Sequence, residues 1–227
     1  MKQIRNFGDA RQMAFCAYCG RNTETRDHVP SKVFLDEPYP TNLPVVPSCQ
    51  SCNEGFSLDE EYVACLIECA RIGSVRSDDV QREKIRRILE RKPALVSRLN
   101  QARRETECWE FFSVETGRVR NVILKLARGH AAFELNEPQL DDPSVVTFFP
   151  LHCMASDIRE EFETPPRFSI WPEVGSRAMQ RLMINELSAC VWITPQPRRY
   201  RYLTSVGIGV VVRMVMSEYI ACEAIWH

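Results

Sequence analysis

Hydrophobic and polar positions along the chain divide it into stretches of different character. From Ser57 the apolar residues Tyr62, Cys65, Leu66 and Cys69 share one helical face, and Ser57, Asp59 and Glu60 supply a cap-like start. This predicts a helix over 57–72, ended by Gly73 and Ser74. Asp78 can cap a second helix, in which Val80, Ile85, Ile88 and Leu89 recur until Pro93 and Leu95 and Leu99 continue to about 104. Beyond residue 105 the pattern predicts a strand at Trp109, Phe111, Phe112 and Val114 that ends at Thr116-Gly117. A helical stretch from Val122 to Phe133 follows, with Gly129 interrupting it. Ser144 to Pro150 reads as a short strand, and the runs 189–193 and 206–226 are rich in β-branched and aromatic residues, with Pro195-Gln196-Pro197 as a break between them. Before all of this, Phe15 to Asn53 is dense in Cys, Pro, Asp and Asn and lacks periodicity, as expected of a small loop-rich unit held by something other than a large core.

Composition narrows the class. The 227 residues are 44% apolar and 26% charged, which fits one sizeable domain or two small ones and excludes fibrous and wholly disordered chains. The most apolar stretch, Gly207 to Met216, carries Arg213, so no membrane span is expected. The N-terminus does not read as a secretory signal, and a cytoplasmic, reducing location is expected for the ten cysteines. The net charge of −1 conceals a division: residues 1–70 carry −4, 71–130 carry +7 and 131–227 carry −4. A bound polyanion would feel the middle third most, although a solvated face of a helix gives the same pattern.

The sharpest signal is a pair of knuckles, Cys16-Ala17-Tyr18-Cys19 and Cys49-Gln50-Ser51-Cys52, separated by 29 residues. Two such pairs suit tetrahedral Zn²⁺, since each two-residue turn brings two sulfurs onto one metal. Four protein ligands fill the coordination sphere, so such a zinc is structural. A redox pair and two unrelated buried pairs are the competing readings; the segment around Cys16 lacks the strand and helix that a thioredoxin-like motif needs.

Between the knuckles stand Asp27-His28-Val29-Pro30-Ser31 and Asn42-Leu43, and Asn53 follows the fourth cysteine directly. In this order the segment from Cys16 to Asn53 resembles the HNH endonucleases of the ββα-metal class. The resemblance covers about the first 60 residues; nothing in 61–227 assigns a family. It implies a small zinc-stapled ββα-metal unit, placed in residues 1–73; the periodicities beyond it give a mixed helical and antiparallel-strand body in 74–227, so an α+β chain, whose second part is expected to recognise substrate or a partner. The resemblance implies His28 as general base, Asp27 and Asn53 as oxygen ligands of one catalytic Mg²⁺ or Mn²⁺, and Asn42 as the residue that orients His28. Two departures matter. Asn53 stands where the family name expects His, and Glu54-Gly55-Phe56 replaces a basic stretch, so phosphate contacts fall to Arg26 and Lys32 or to the basic helix at 78–104, through Arg82, Arg86 and Arg87.

The expected activity is metal-dependent hydrolysis of DNA phosphodiesters. RNA is not separable from DNA, because the chemistry touches phosphate and not the 2′-hydroxyl. A non-catalytic zinc module that binds nucleic acid or protein is the alternative. A homodimer suits double-strand cutting but nothing requires it. Taken singly, Asp27-His28 also reads as a capped turn, Asn42 as a turn residue and Asn53 as a helix N-cap. His130, His152 and His227 lack metal-like spacing. Cys65 and Cys69, Cys108, Cys153, Cys190 and Cys222, and Trp109, Trp192 and Trp226 are expected to be core residues.

Overall fold

The computed structural model describes residues 10–106, 109–112, 114–166, 170–185 and 190–227. After a short helix, α1 (Ala10–Met13), strands β1 (Thr25–His28) and β2 (Val45–Ser48) pair antiparallel, with Thr25 opposite Ser48 and His28 opposite Val45. Helix α2 (Gln50–Gly55) starts directly after Cys49, and α3 (Ser57–Ile72) follows after Phe56. The apolar face expected for 57–72 is present: Tyr62, Cys65, Leu66 and Cys69 are buried, and Gly73 closes the helix in the left-handed conformation that lacks a Cβ penalty.

The next stretch is broken more finely than its periodicity predicts. Asp78 lies in a short 3-10 turn at 77–79 and caps no α-helix. Helix α4 (Glu83–Arg91) starts after Arg82, and Pro93 begins a separate helix, α5 (Pro93–Ala102), at the first-turn position where a missing N–H is tolerated. Strand β3 (Arg103–Thr106) then pairs with β4 (Trp109–Phe112), so the end of the expected basic helix is extended chain. Thr116-Gly117 does not end a strand but opens the longest helix, α6 (Thr116–Leu135). Gly129 does not interrupt α6 either. A Cβ there would lie 2.6 Å from Cγ2 of Val29, so the glycine lets the helix press against the residue that follows His28.

Strands β5 (Val145–Pro150), β6 (Ile193–Gln196), β7 (Tyr200–Val206), β8 (Val210–Met216) and β9 (Ile220–Trp226) form one antiparallel sheet in the order β5-β9-β8-β7-β6. The late apolar run is a hairpin whose turn is made by Ser217 and Glu218, both at positive φ. Pro195 sits inside β6 and not in a break, which an edge strand tolerates because no ladder bond is lost on its open side. Helix α7 (Ser156–Glu163) closes over a small second cluster with Leu151, Phe162, Val215 and Ala221, and α8 (Arg177–Asn185) lies against α6.

Helix α6 lies at the centre. It packs on α3, on β2 and on β7, β8 and β9, and one continuous apolar cluster runs from Cys16 through Val29, Leu66 and Ile123 to Trp226. The boundary expected at 73/74 therefore has no gap in the core to mark it. Cys65, Cys69, Cys190, Cys222 and Trp226 are buried, as their apolar settings imply, and Trp192 is half-buried. Cys153 departs from that expectation: it lies exposed at the end of a 3-10 turn at 151–153. Cys108 and the side chain of Trp109 lie outside what the structure describes. Among the described residues, no helix is long and apolar enough to cross a membrane.

Candidate functional site

The two knuckles meet. The sulfurs of Cys16, Cys19, Cys49 and Cys52 all lie within 4.8 Å of one another, and Cys19 Sγ is 3.7 Å from Cys49 Sγ. Zn–S bonds of about 2.3 Å in a tetrahedron require sulfurs about 3.8 Å apart, so this set can hold a metal ion such as zinc. Local backbone makes the geometry. Cys16 and Gly20 close a tight turn through Gly20 N–H to Cys16 C=O at 2.9 Å, with Gly20 at φ +71°, while Cys49 is the N-cap of α2 and places Cys52 one turn further on. The thiols are primed for ionisation unevenly. Ser51, 3.2 Å from Cys49 Sγ, brings that thiol down to about 6. Partial desolvation opposes ionisation of Cys19, but Arg21, whose Nε donates to its sulfur at 3.4 Å, carries it below the usual value.

Asp27 is 8% exposed and points inward from β1. Its Oδ2 accepts from the Tyr18 hydroxyl at 2.8 Å and pairs with Lys125 Nζ at 2.7 Å. Lys125, 1% exposed on α6, also donates to Ser31 Oγ at 2.7 Å and to Glu60 Oε1 of α3 at 2.5 Å, so its three N–H groups are spent on three partners. Ser31 in turn donates to Glu60. The ammonium stands 5.9 and 5.8 Å from the ring centres of Tyr18 and Phe56, which pack edge to face. Desolvation raises the Glu60 carboxyl despite the opposing pull of Lys125, and burial with the Asp27 charge beside it drives the Tyr18 phenol well up. No motif gives Lys125 a role, and Tyr18, Ser31 and Glu60 stand in the quoted motifs and helix start without one at this site. A lone lysine inside the apolar run 122–133 is the one sequence signal that points to Lys125.

His28 ends β1. Burial, then the neighbouring Lys32 charge, lowers its imidazole below the ordinary value, and Nε2 is buried without a hydrogen-bond partner. Asn53 lies in α2, where its Nδ2 donates to Thr25 Oγ1 at 3.1 Å, and among the described residues its amide oxygen has no hydrogen-bond partner; alternation along β1 gives Thr25 and Asp27 one face and His28 the other. Asn53 is therefore no N-cap; Cys49 holds that position. Asn42 is exposed in the turn before β2 and, among the described residues, makes no hydrogen bond to His28.

The expected nucleic-acid contacts separate. Arg26 is exposed on β1 opposite Pro47, and Lys32 is half-buried, its ammonium 5.5 Å from the Tyr39 ring centre. Arg82 is not available to a ligand. Its side chain is 4% exposed, pairs with Asp36 at 2.7 Å and donates to the carbonyls of Val33 and Leu35, because it is the buried strap between α4 and the 31–39 segment. Arg86 and Arg87 are exposed to different degrees and are both shared with Glu83.

Comparison with family models, with curated proteins and with solved structures gives no match for this chain.

Proposed function

We propose that the N-terminal unit is a zinc-stapled, metal-dependent endonuclease centre of HNH type that hydrolyses DNA phosphodiesters. The observation that supports it best is the set of acceptors left unspent on one hairpin and its helix. Among the described residues, Asp27 is anchored through Oδ2 alone and its Oδ1 has no partner, the Asn53 amide oxygen has none, and His28, next to Asp27 in sequence, has an orphaned buried nitrogen, Nε2. Two hard oxygens suit Mg²⁺ or Mn²⁺, whose role when bound is to offset charge that builds on the phosphate. His28, held neutral by burial, takes the proton from the attacking water as the new P–O bond forms and the bond to the leaving oxygen breaks. Lys125 and Tyr18 hold the Asp27 carboxylate in one orientation. The cysteine cluster fixes Cys49 and Cys52 at the start of α2 and so fixes Asn53, one residue further on.

A second reading, a zinc module without catalysis, draws on one observation: Asn42 stands exposed and away from the role of orienting His28. Metal binding separates the two. Zinc-loaded protein titrated with Mn²⁺ and followed by electron paramagnetic resonance should take up one further ion, weakened by Asn53→Ala. No uptake, or uptake indifferent to Asn53, would favour the non-catalytic module.

A further inference from the structure

A cleft of about 860 Å³ opens between the segment 31–39 and α4. Eight cationic and five acidic side chains line it, and four of the acids are committed to cations: Asp36 to Arg82 and Arg199, Glu61 to Lys92, Glu83 to Arg86 and Arg87, and Glu60 to Lys125. Among the described residues, the fifth, Glu37, forms no ion pair and accepts from the Tyr39 hydroxyl at 2.9 Å, and Lys32, Lys84 and Arg91 form no ion pair either. Three unpaired cations against one unpaired acid leave a positive surplus for a ligand. Tyr39 stands between two of them, with Lys84 Nζ 4.8 Å and Lys32 Nζ 5.5 Å from its ring centre, and Lys84 is steadied by donating to the Lys32 carbonyl at 3.0 Å and to the Tyr39 hydroxyl. Ser31 and Glu60 form part of the wall, and both bond to Lys125, which pairs with Asp27. The cleft wall thus reaches Ser31, three positions beyond His28, and backs onto the buried cluster that holds Asp27, while Asp27 and His28 do not themselves line it.

Its size sets what can enter. An open cleft of that volume takes a short stretch of one unpaired strand, with its phosphates near surplus ammonium and guanidinium groups and a base beside the Tyr39 ring, whereas a duplex, whose major groove alone is about 12 Å wide, meets only its mouth. We propose that this cleft binds an unpaired nucleic-acid strand and delivers it to the Asp27–His28 edge, so that the substrate is single-stranded or locally unpaired. The assignment rests on the nuclease reading for its purpose, but strand binding is measurable without cleavage.

The test is fluorescence anisotropy of the full-length, zinc-loaded protein, without added Mg²⁺ or Mn²⁺, on a labelled oligothymidylate of about 12 nucleotides and on a hairpin duplex of similar length. The single strand should bind at least tenfold more tightly. Lys84→Gln with Arg91→Gln should weaken it tenfold or more and reduce the slope of log K against log salt by about 1.4, two phosphate contacts at about 0.7 each. Tyr39→Leu should weaken binding about tenfold, the lower part of the range for one stacked base, while Tyr39→Phe retains it. Arg120→Gln, which removes one positive charge at an exposed site on α6, should leave binding unchanged. Equal or tighter binding of the duplex, no binding of the strand, or a double variant that matches Arg120→Gln overturns the assignment. Strand binding through the cleft without any cleavage leaves it standing and removes the nuclease reading; His28-dependent cleavage with cleft variants that bind as wild type does the reverse.

Discussion

Replacing Lys125 by Met tests the buried cluster that joins the N-terminal hairpin to the rest of the fold. The lysine neutralises two carboxylates at once, Asp27 at 2.7 Å and Glu60 at 2.5 Å, and all three side chains are at most 10% exposed. Methionine matches the length of the stem but removes the only cation in contact with either acid among the described residues. Deleting one partner of a buried pair typically costs about 3–5 kcal/mol, because the surviving charge is left without compensation. For a chain of this size that corresponds to about 6–20 °C in Tm. Glu60 is already inclined to take up a proton, since desolvation raises its carboxyl. The double variant Lys125→Met with Glu60→Gln should therefore recover part of the loss, and a double-mutant cycle by urea unfolding at pH 7 should give a coupling energy of at least about 1 kcal/mol. A Lys125→Met protein that loses under about 1 kcal/mol, or effects of the two substitutions that simply add, would refute the reasoning.

Further predictions follow from other contacts. Gly129→Ala, which gains about 1 kcal/mol in an isolated helix, should destabilise this protein because the new Cβ meets Val29, and Val29→Ala should rescue it in thermal unfolding. His130 is wholly buried, accepts or donates one bond to Tyr200 at 2.8 Å and is stacked on Tyr202, and burial holds its imidazole well below the ordinary 6.5. The unfolded chain therefore binds a proton that the fold refuses, so stability should fall as pH drops below about 6.5, by up to about 1.4 kcal/mol per unit from this group, and His130→Gln should flatten that slope in urea titrations. Removing the metal from the four cysteines with a chelator should loosen residues 10–55, seen as new protease cleavage there ahead of α3; unchanged protease resistance in metal-free protein would contradict the staple.

Local spacing carried the parts of the fold that local chemistry decides. Two Cys-x-x-Cys turns identified the cysteine cluster because each turn needs only its own residues, and the apolar face of 57–72 was readable because one helix side meets the core. What the pattern missed lies in contacts distant in sequence. Glu60 and Lys125 are 65 residues apart, and nothing near either one announces the other. Arg82 looked like one more solvated cation on a basic helix, yet it begins α4 at the point where the chain turns against 31–39, and three acceptors there bury it. Gly129 read as a break because its role is set by Val29, a hundred positions earlier. The same dependence joins the two halves: α6, from the second, packs into the core of the first and supplies the counter-ion of its Asp27.

The central claim is that His28 is the base of a phosphodiesterase, and single-turnover cleavage of supercoiled plasmid by wild-type and His28→Ala protein of equal zinc content, with Mg²⁺ or Mn²⁺, tests it most directly. The account predicts nicked product from the wild type and a rate lower by about 10²–10⁴ in the variant, the usual worth of a positioned base. Cleavage by His28→Ala within tenfold of wild type, or none by either protein, would contradict it.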